Sequence, residues 1–405
     1  MAVVNKGRRL LIRTRILFIA ERFPPDLGGL ASSANRLSRN LCQLGVEVDV
    51  LAWSRFLQPG EVLQPNSQLE INSPQIYRVG LYRNWDMTMI HTLNILDWLQ
   101  QQHSYDAVWG HYLLPAGFLA VWFAKLQGLK SVVSARGNDL DRGVFPPGDF
   151  ARLQWTLQQA DVITSVSQDL ANKIKLVSER NDILIIKNAV NTDIFAPSFS
   201  EEARLALRDK LGIAKNEIVL GFAGELREKK GQNFLLQALS QVRQHHPACL
   251  LIIGEIRTTQ EAILQVYSVQ HPEDYQRLII TGHLVEPQEV AQYLQLCDLF
   301  LLPSIWEGLP NALLEAMACG CCCLASDAGG IPEIIEHGVN GFILPRQQLQ
   351  HLGNAVLEFL ELDLNIKQKI SQAARDRILA EFFLSAEKAR LQTVLDRLGI
   401  KMMYD

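Results

Sequence analysis

Residues 15–29 read R-I-L-F-I-A-E-R-F-P-P-D-L-G-G. The first six are a continuous apolar run of strand length, and the Pro-Pro and Gly-Gly pairs punctuate the residues after it. A helix is expected over about 30–44, and V-E-V-D-V-L-A at 46–52 supplies the next strand. Strand, Gly-rich loop, helix, strand is the opening of a doubly wound α/β unit. Gly28 and Gly29 fall where the strand's C-terminal end meets the helix N-terminus, which is where open sheets bind ligands. Two glycines also serve an ordinary turn.

The alternation continues along the chain. Residues 53–87, with Pro59, Gly60, Pro65 and Pro74, read as loops around short strands, and 88–102 as a helix. A strand at 105–109 leads into W-G-H-Y-L-L-P-A-G, which puts His111 at a strand end. An imidazole there can bind a hydroxyl or handle a proton, or it can be structural. The strand at 131–135 ends in A-R-G-N-D-L, where Arg136 can meet phosphate or acceptor, or pair with Asp139 or Asp141. Strands at 161–166 and 182–186 and a linker at 196–198 come next, then a polar helix over 201–211. The second half opens with E-I-V-L-G-F-A-G and the loop E-L-R-E-K-K-G-Q-N, in which Arg227 and Lys230 precede a helix beginning near Gln232. That charge run is a solvated surface or, beside a helix N-terminus, an anion site. Further strands end at Gly254, at Gly282-His283 and at Ser304, and helices occupy 347–360, 365–381 and 385–398.

Residues 304–330 read S-I-W-E-G-L-P-N-A-L-L-E-A-M-A-C-G-C-C-C-L-A-S-D-A-G-G. A helix over 311–318 fits the helix formers, with Pro310 at its start and Cys319-Gly320 at its end. A short buried strand over 321–325 comes after it. Glu307 lies in the loop above the helix N-terminus and Glu315 inside the helix. Backbone N–H groups of Gly308, Leu309, Pro310's neighbours and Asn311 lie between them at the positive end of the helix dipole. Two carboxylates beside an anion site suit a ligand with both hydroxyls and phosphate, such as a nucleotide sugar. A solvated glutamate pair is the plain alternative.

The 405 residues suffice for two domains with full cores. Hydrophobic content of 48% and charge of 20% describe an ordinary globular protein, and a net charge of −4 gives no reason to expect nucleic acid. Seven cysteines do not make a disulfide framework, which points to a reducing, cytoplasmic compartment. The run Cys321, Cys322, Cys323 lacks zinc-ligand spacing and reads as small buried residues. No run reaches the ~18 apolar residues of a membrane span. Lys6, Arg8, Arg9, Arg13 and Arg15 form a basic N-terminus, either a solvated tail or a peripheral contact with anionic lipid on the inner membrane face.

The string E-G-L-P-N-A-L-L-E-A-M-A-C-G, with Gly329-Gly330 and Asn340-Gly341 after it, resembles the Glu-x7-Glu signature of retaining GT-B glycosyltransferases of family four. The P-P-x-x-G-G loop, H-Y-L-L-P-A-G and the R-G-x-D element resemble family loops too. K-N-A-V-N-T-D-I-F resembles the family's N-G-V-D-x-x-x-F element, with Ala189 and Asn191 as departures. The loop after Gly224 resembles G-R-L-x-x-x-K-G, except that Glu225 stands where the family has arginine. The resemblance implies two Rossmann-like domains facing each other across a cleft. Residues 1–197 would bind acceptor and 198–384 the nucleotide sugar, with the last helix, about 385–405, crossing back.

It further implies Glu315 on the ribose, and Glu307 with Gly308, Leu309, Pro310 and Asn311 on the donor sugar. Arg227 and Lys230 would face the diphosphate, Gly224 and His283 would line the donor site, and Gly28, Gly29, His111 and Arg136 would lie on the acceptor side. The implied reaction is metal-independent, cofactor-free, retaining hexosyl transfer to a saccharide or lipid-linked acceptor in polysaccharide or glycoconjugate biosynthesis. UDP-glucose is the first choice of donor because UDP-sugars are common, not because a residue selects it. A catalytically weak nucleotide-sugar-binding protein, motivated by Glu225, and an epimerase on the same fold are the alternatives.

Overall fold

The computed structural model describes residues 14–65, 72–137 and 139–400. It is an α/β chain built on two sheets. The first contains β1 (Arg15–Ala20), β2 (Glu47–Ser54), β3 (Val62–Leu63), β4 (Gln75–Gly80), β5 (Ala107–His111), β6 (Lys130–Ala135), β7 (Val162–Ser165) and β8 (Leu184–Ile185), in the order β3-β4-β2-β1-β5-β6-β7-β8. The second contains β9 (Ile218–Ala223), β10 (Ala248–Ile253), β11 (Leu278–Ile280), β12 (Leu299–Leu302), β13 (Cys323–Ser326) and β14 (Phe342–Leu344), in the order β11-β10-β9-β12-β13-β14. All the strand pairs of the second sheet run parallel. In the first, β1 is parallel to both β2 and β5, and the short β3 is antiparallel to β4.

By internal contacts the described chain falls into two compact units. One takes residues up to Ser134, Gly143–Ile163 and those from Leu391 onward; the other takes Ala135–Arg142 and Thr164–Arg390. In the first unit, Ile16, Leu17, Phe18, Ile19 and Ala20 are fully buried, as the apolar run requires of a central strand covered on both faces. The helix Gly29–Gln43 follows it through the Gly-rich loop, and Gly28 caps that helix with a φ of 109°. Trp53 and Phe123 fill the core on one face, and the Trp53 indole N–H donates to Thr92 Oγ1 at 3.0 Å.

Of the basic N-terminus, Lys6, Arg8, Arg9 and Arg13 lie outside the described residues. Arg15 begins β1, and its guanidinium donates to both Asp49 oxygens, at 3.0 and 3.1 Å. That charge ties β1 to β2 instead of extending a basic tail. Two helices, Phe118–Gln127 and Pro147–Gln159, fall where the sequence pattern sets none. The first, F-L-A-V-W-F-A-K-L-Q, is apolar on nearly every side, so no 3.6-residue period stands out. The second starts with Pro147 in its first turn.

In the second unit the helix Asn311–Ala318 has the expected bounds, with Pro310 as its N-cap. The strand after it, β13, starts two residues later than the apolar run, at Cys323. No helix among the described residues is long and apolar enough to cross a membrane.

Candidate functional site

The second unit gathers most of the sequence candidates at the C-terminal ends of its strands. β9 is followed by Gly224, whose N–H donates to Ile253 O at 2.9 Å, and Leu226 bridges Ile256, so the loops after β9 and β10 run side by side. Glu225 is ion-paired with both Arg227 and Arg257. A 3-10 turn, Glu228–Lys230, leads through Gly231 into the helix Gln232–Arg243. Burial, then the neighbouring Lys230 charge, pushes the Lys229 ammonium below its ordinary value, and burial also lowers Arg227.

The loop after β12 lies against this one. Ile305 N donates to Lys229 O at 2.8 Å, and the Lys230 ammonium is paired with Glu307. Ser304 Oγ donates to the same Glu307 oxygen at 2.6 Å, leaving that carboxylate side chain 9% exposed. Lys230 and Glu307 are 77 residues apart in sequence. Gly308, Leu309 and Pro310 are buried, and Asn311 opens the helix that carries the half-buried Glu315 in its second turn. The Asn311 side-chain oxygen is buried without a hydrogen-bond partner among the described residues.

Glycines let this loop fold tightly. Gly330 N donates to Gly308 O at 2.8 Å, and at Gly329, with φ 54°, a Cβ would lie 2.1 Å from Glu307 O. A side chain at 329 has nowhere to go.

Arg136 belongs to this unit and is buried. Its guanidinium donates to Ile186 O at 3.1 Å and bonds Asn188 Oδ1, while Asn188 Nδ2 donates to Leu309 O at 2.6 Å. Asp139 accepts from the backbone N–H groups of Arg136 and Gly137 at 3.3 and 3.1 Å. Arg136 therefore braces the Leu309 loop from below. His283 follows β11 and is exposed, while Thr281 Oγ1 accepts from Gly254 N at 3.1 Å.

The other three candidates sit in the first unit. Gly28 and Gly29 are exposed at the start of the helix Gly29–Gln43. His111 is the last residue of β5 and is fully buried, with Nε2 3.1 Å from Ser33 Oγ and the Phe18 ring at 5.5 Å. Ser33 Oγ also donates to Leu30 O at 3.0 Å, which ties this contact to the first turn of the helix Gly29–Gln43.

All seven cysteines are free thiols. Burial pushes Cys319 up to about 12 and Cys321 and Cys323 well above their ordinary value, so these thiols are protonated packing groups. The family resemblance, not spacing alone, singled out Glu307, Glu315, Arg227 and Lys230. It did not reach Ser304 or Arg257, whose only signal is position after a strand end, nor the bracing role of Asn188.

Residues 203–377 match the family model described as Glycosyl transferases group 1, and residues 28–189 match the Glycosyl transferase 4-like domain. The chain belongs to the family-four glycosyltransferases. Every candidate site residue of this glycosyltransferase falls inside one of the two matched segments. It is 26% identical over 361 residues to N-acetyl-alpha-D-glucosaminyl L-malate synthase from Bacillus anthracis, a match covering 88% of this chain and 91% of that one. Among solved structures it is similar to sucrose-phosphate synthase from Thermosynechococcus elongatus, with a TM-score of 0.77, 17% identity and coverage of 96% and 99%. It is also similar to Anabaena HepE in complex with UDP, with a TM-score of 0.74, 20% identity and coverage of 95% and 100%. These likenesses establish the GT-B fold of the glycosyltransferase.

Proposed function

We propose that this glycosyltransferase is a retaining, metal-independent hexosyltransferase that takes a nucleotide sugar, UDP-glucose as first choice, and glycosylates a saccharide or lipid-linked acceptor. One observation carries the reading: the Lys230 ammonium and the Glu307 carboxylate are brought together across 77 residues, next to the N-terminus of the helix bearing Glu315. A cation, two carboxylates and a helix N-terminus at one place match the parts of a nucleotide sugar. UDP is adopted because UDP-sugars are common; HepE, of like fold, has been solved in complex with UDP and with UDP-glucose.

In this reading Glu315 holds the ribose, Glu307 and the backbone from Gly308 to Asn311 hold the hexose, and Arg227 and Lys230 face the diphosphate. Gly28 and Gly29 stand on the acceptor side; His111, expected there too, is fully buried and does not reach an acceptor in this conformation. The bond between the anomeric carbon and the leaving phosphate oxygen breaks, and its electron pair stays on the phosphate. The acceptor oxygen bonds to the anomeric carbon from the same face, and its proton passes to the leaving phosphate. Fixed cations and the helix dipole stabilise the charge that grows on the leaving group.

The test is a binding and donor-hydrolysis screen of purified protein with UDP-, GDP- and ADP-sugars, with and without EDTA. Release of one nucleotide, unaffected by EDTA, supports the proposal. Binding without turnover, even when acceptor sugars are supplied, favours the weak sugar-binding reading that Glu225 motivates. Binding of no nucleotide sugar overturns both.

A further inference from the structure

Glu225 is a carboxylate in a loop assigned to a diphosphate, where a negative charge is out of place unless it serves the cations around it. It is ion-paired with two guanidiniums, one per oxygen: Arg227 through Oε2 and Arg257 through Oε1. The backbone that carries all three residues is tightly fixed. Gly224 N donates to Ile253 O at 2.9 Å and Leu226 bridges Ile256. At Gly254, φ is 148° and a Cβ would lie 2.4 Å from Gly224 O, so only glycine allows the two loops to approach this closely.

We propose that Arg257 is a second guanidinium for the donor's diphosphate and that Glu225 is its positioning residue, aligning Arg227 and Arg257 as one clamp. The inference rests on the proposed donor site and adds to it a residue from a different loop. One carboxylate between two guanidiniums leaves the group net positive. Each guanidinium carries five N–H donors in a planar fork, more than one carboxylate oxygen can accept. The Nε–H of Arg227 is buried and has no hydrogen-bond partner among the described residues. Arg257 is 43% exposed, so its fork is reachable by a ligand. A fork already held in place loses less freedom when it meets phosphate oxygens, which is what Glu225 contributes.

Calorimetric titration of the full chain with UDP, GDP and ADP, and with uridine, guanosine and adenosine, tests the clamp. R257A weakens the diphosphate that wild type binds by about 10- to 100-fold, the range for a hydrogen bond to a charged group, and leaves the matching nucleoside unchanged. E225Q also weakens it, although the change adds positive charge, and Glu225→Asp restores part of the loss. The double variant R257A/E225Q loses less than the two single losses combined, because both act through one clamp. Wild-type-like diphosphate binding by R257A overturns the inference, as does E225Q binding equally or more tightly, which plain charge arithmetic predicts. If wild type binds none of the three diphosphates, the donor-site reading itself fails and the clamp with it.

Discussion

Asn188 and Leu309, 121 residues apart in sequence, are joined by one hydrogen bond of 2.6 Å from the Asn188 side-chain amide to the Leu309 carbonyl oxygen. The other end of the same side chain accepts from the buried Arg136. Asn188→Ala strips a buried carbonyl and a buried guanidinium of a partner at once, which costs about 1–3 kcal/mol. A thermal melt is expected to fall by several degrees, and donor affinity with it, because Leu309 follows Glu307 and Gly308 in the same loop. An unchanged melting temperature rules out the brace.

Lys230→Ala removes the cation paired with Glu307 and leaves that carboxylate with Ser304. On the proposed mechanism the transfer rate drops on the order of 100- to 1000-fold, the usual loss for one preorganised donor at a developing charge. Arg227→Ala is expected to behave similarly. Single-turnover rates with saturating donor read the effect, and a rate unchanged in both variants removes these residues from the leaving-group role.

Asp298, just before β12, accepts from Val219 N at 2.8 Å. Desolvation of its carboxyl raises its pKa above the ordinary 3.8, outweighing that hydrogen bond and the nearby Arg208, although the residue itself is exposed. Between 3.8 and the raised value the folded chain holds a proton that the unfolded chain has lost. Stability from this group therefore falls as pH rises through that window. Asp298→Asn keeps an acceptor for Val219 and removes the titration. Urea midpoints of the two proteins are expected to diverge in favour of the variant as pH rises from 3.8 through the raised value; a difference that stays constant with pH contradicts the shift.

Gln232 is fully buried at the start of the helix Gln232–Arg243, and neither end of its amide has a hydrogen-bond partner among the described residues. An unsatisfied buried amide costs about 1–3 kcal/mol, and methionine has nearly the same shape. Gln232→Met is expected to leave the melting temperature unchanged or raise it. A clear fall shows that the amide is engaged in the folded protein.

Local patterns made the fold legible. The run at 15–20 became β1 with the same bounds, and the helix at 311–318 lies where its formers and its Pro310 start place it. Periodicity failed at Phe118–Gln127, where apolar residues surround the axis. For the site, the carboxylates and cations were visible as residue types, but their pairings were not. Nothing local to Lys230 announces Glu307, and nothing local to Glu225 announces Arg257, because only the parallel sheet brings those loops together. His111 shows the opposite failure. A strand-end histidine reads as accessible, whereas the packing of Phe18 and Ser33 seals it from solvent.

The brace formed by Arg136, Ile186, Asn188 and Leu309 bears on how such enzymes can be recombined. All four residues lie in one compact unit, although two are in the segment 164–197 and one comes from Ala135–Arg142. A chimera joined at the linker near 196–198 would import a foreign Leu309 loop without the residues that support it. Exchanging specificity between relatives therefore calls for a discontinuous graft, with 135–142 and 164–390 travelling together.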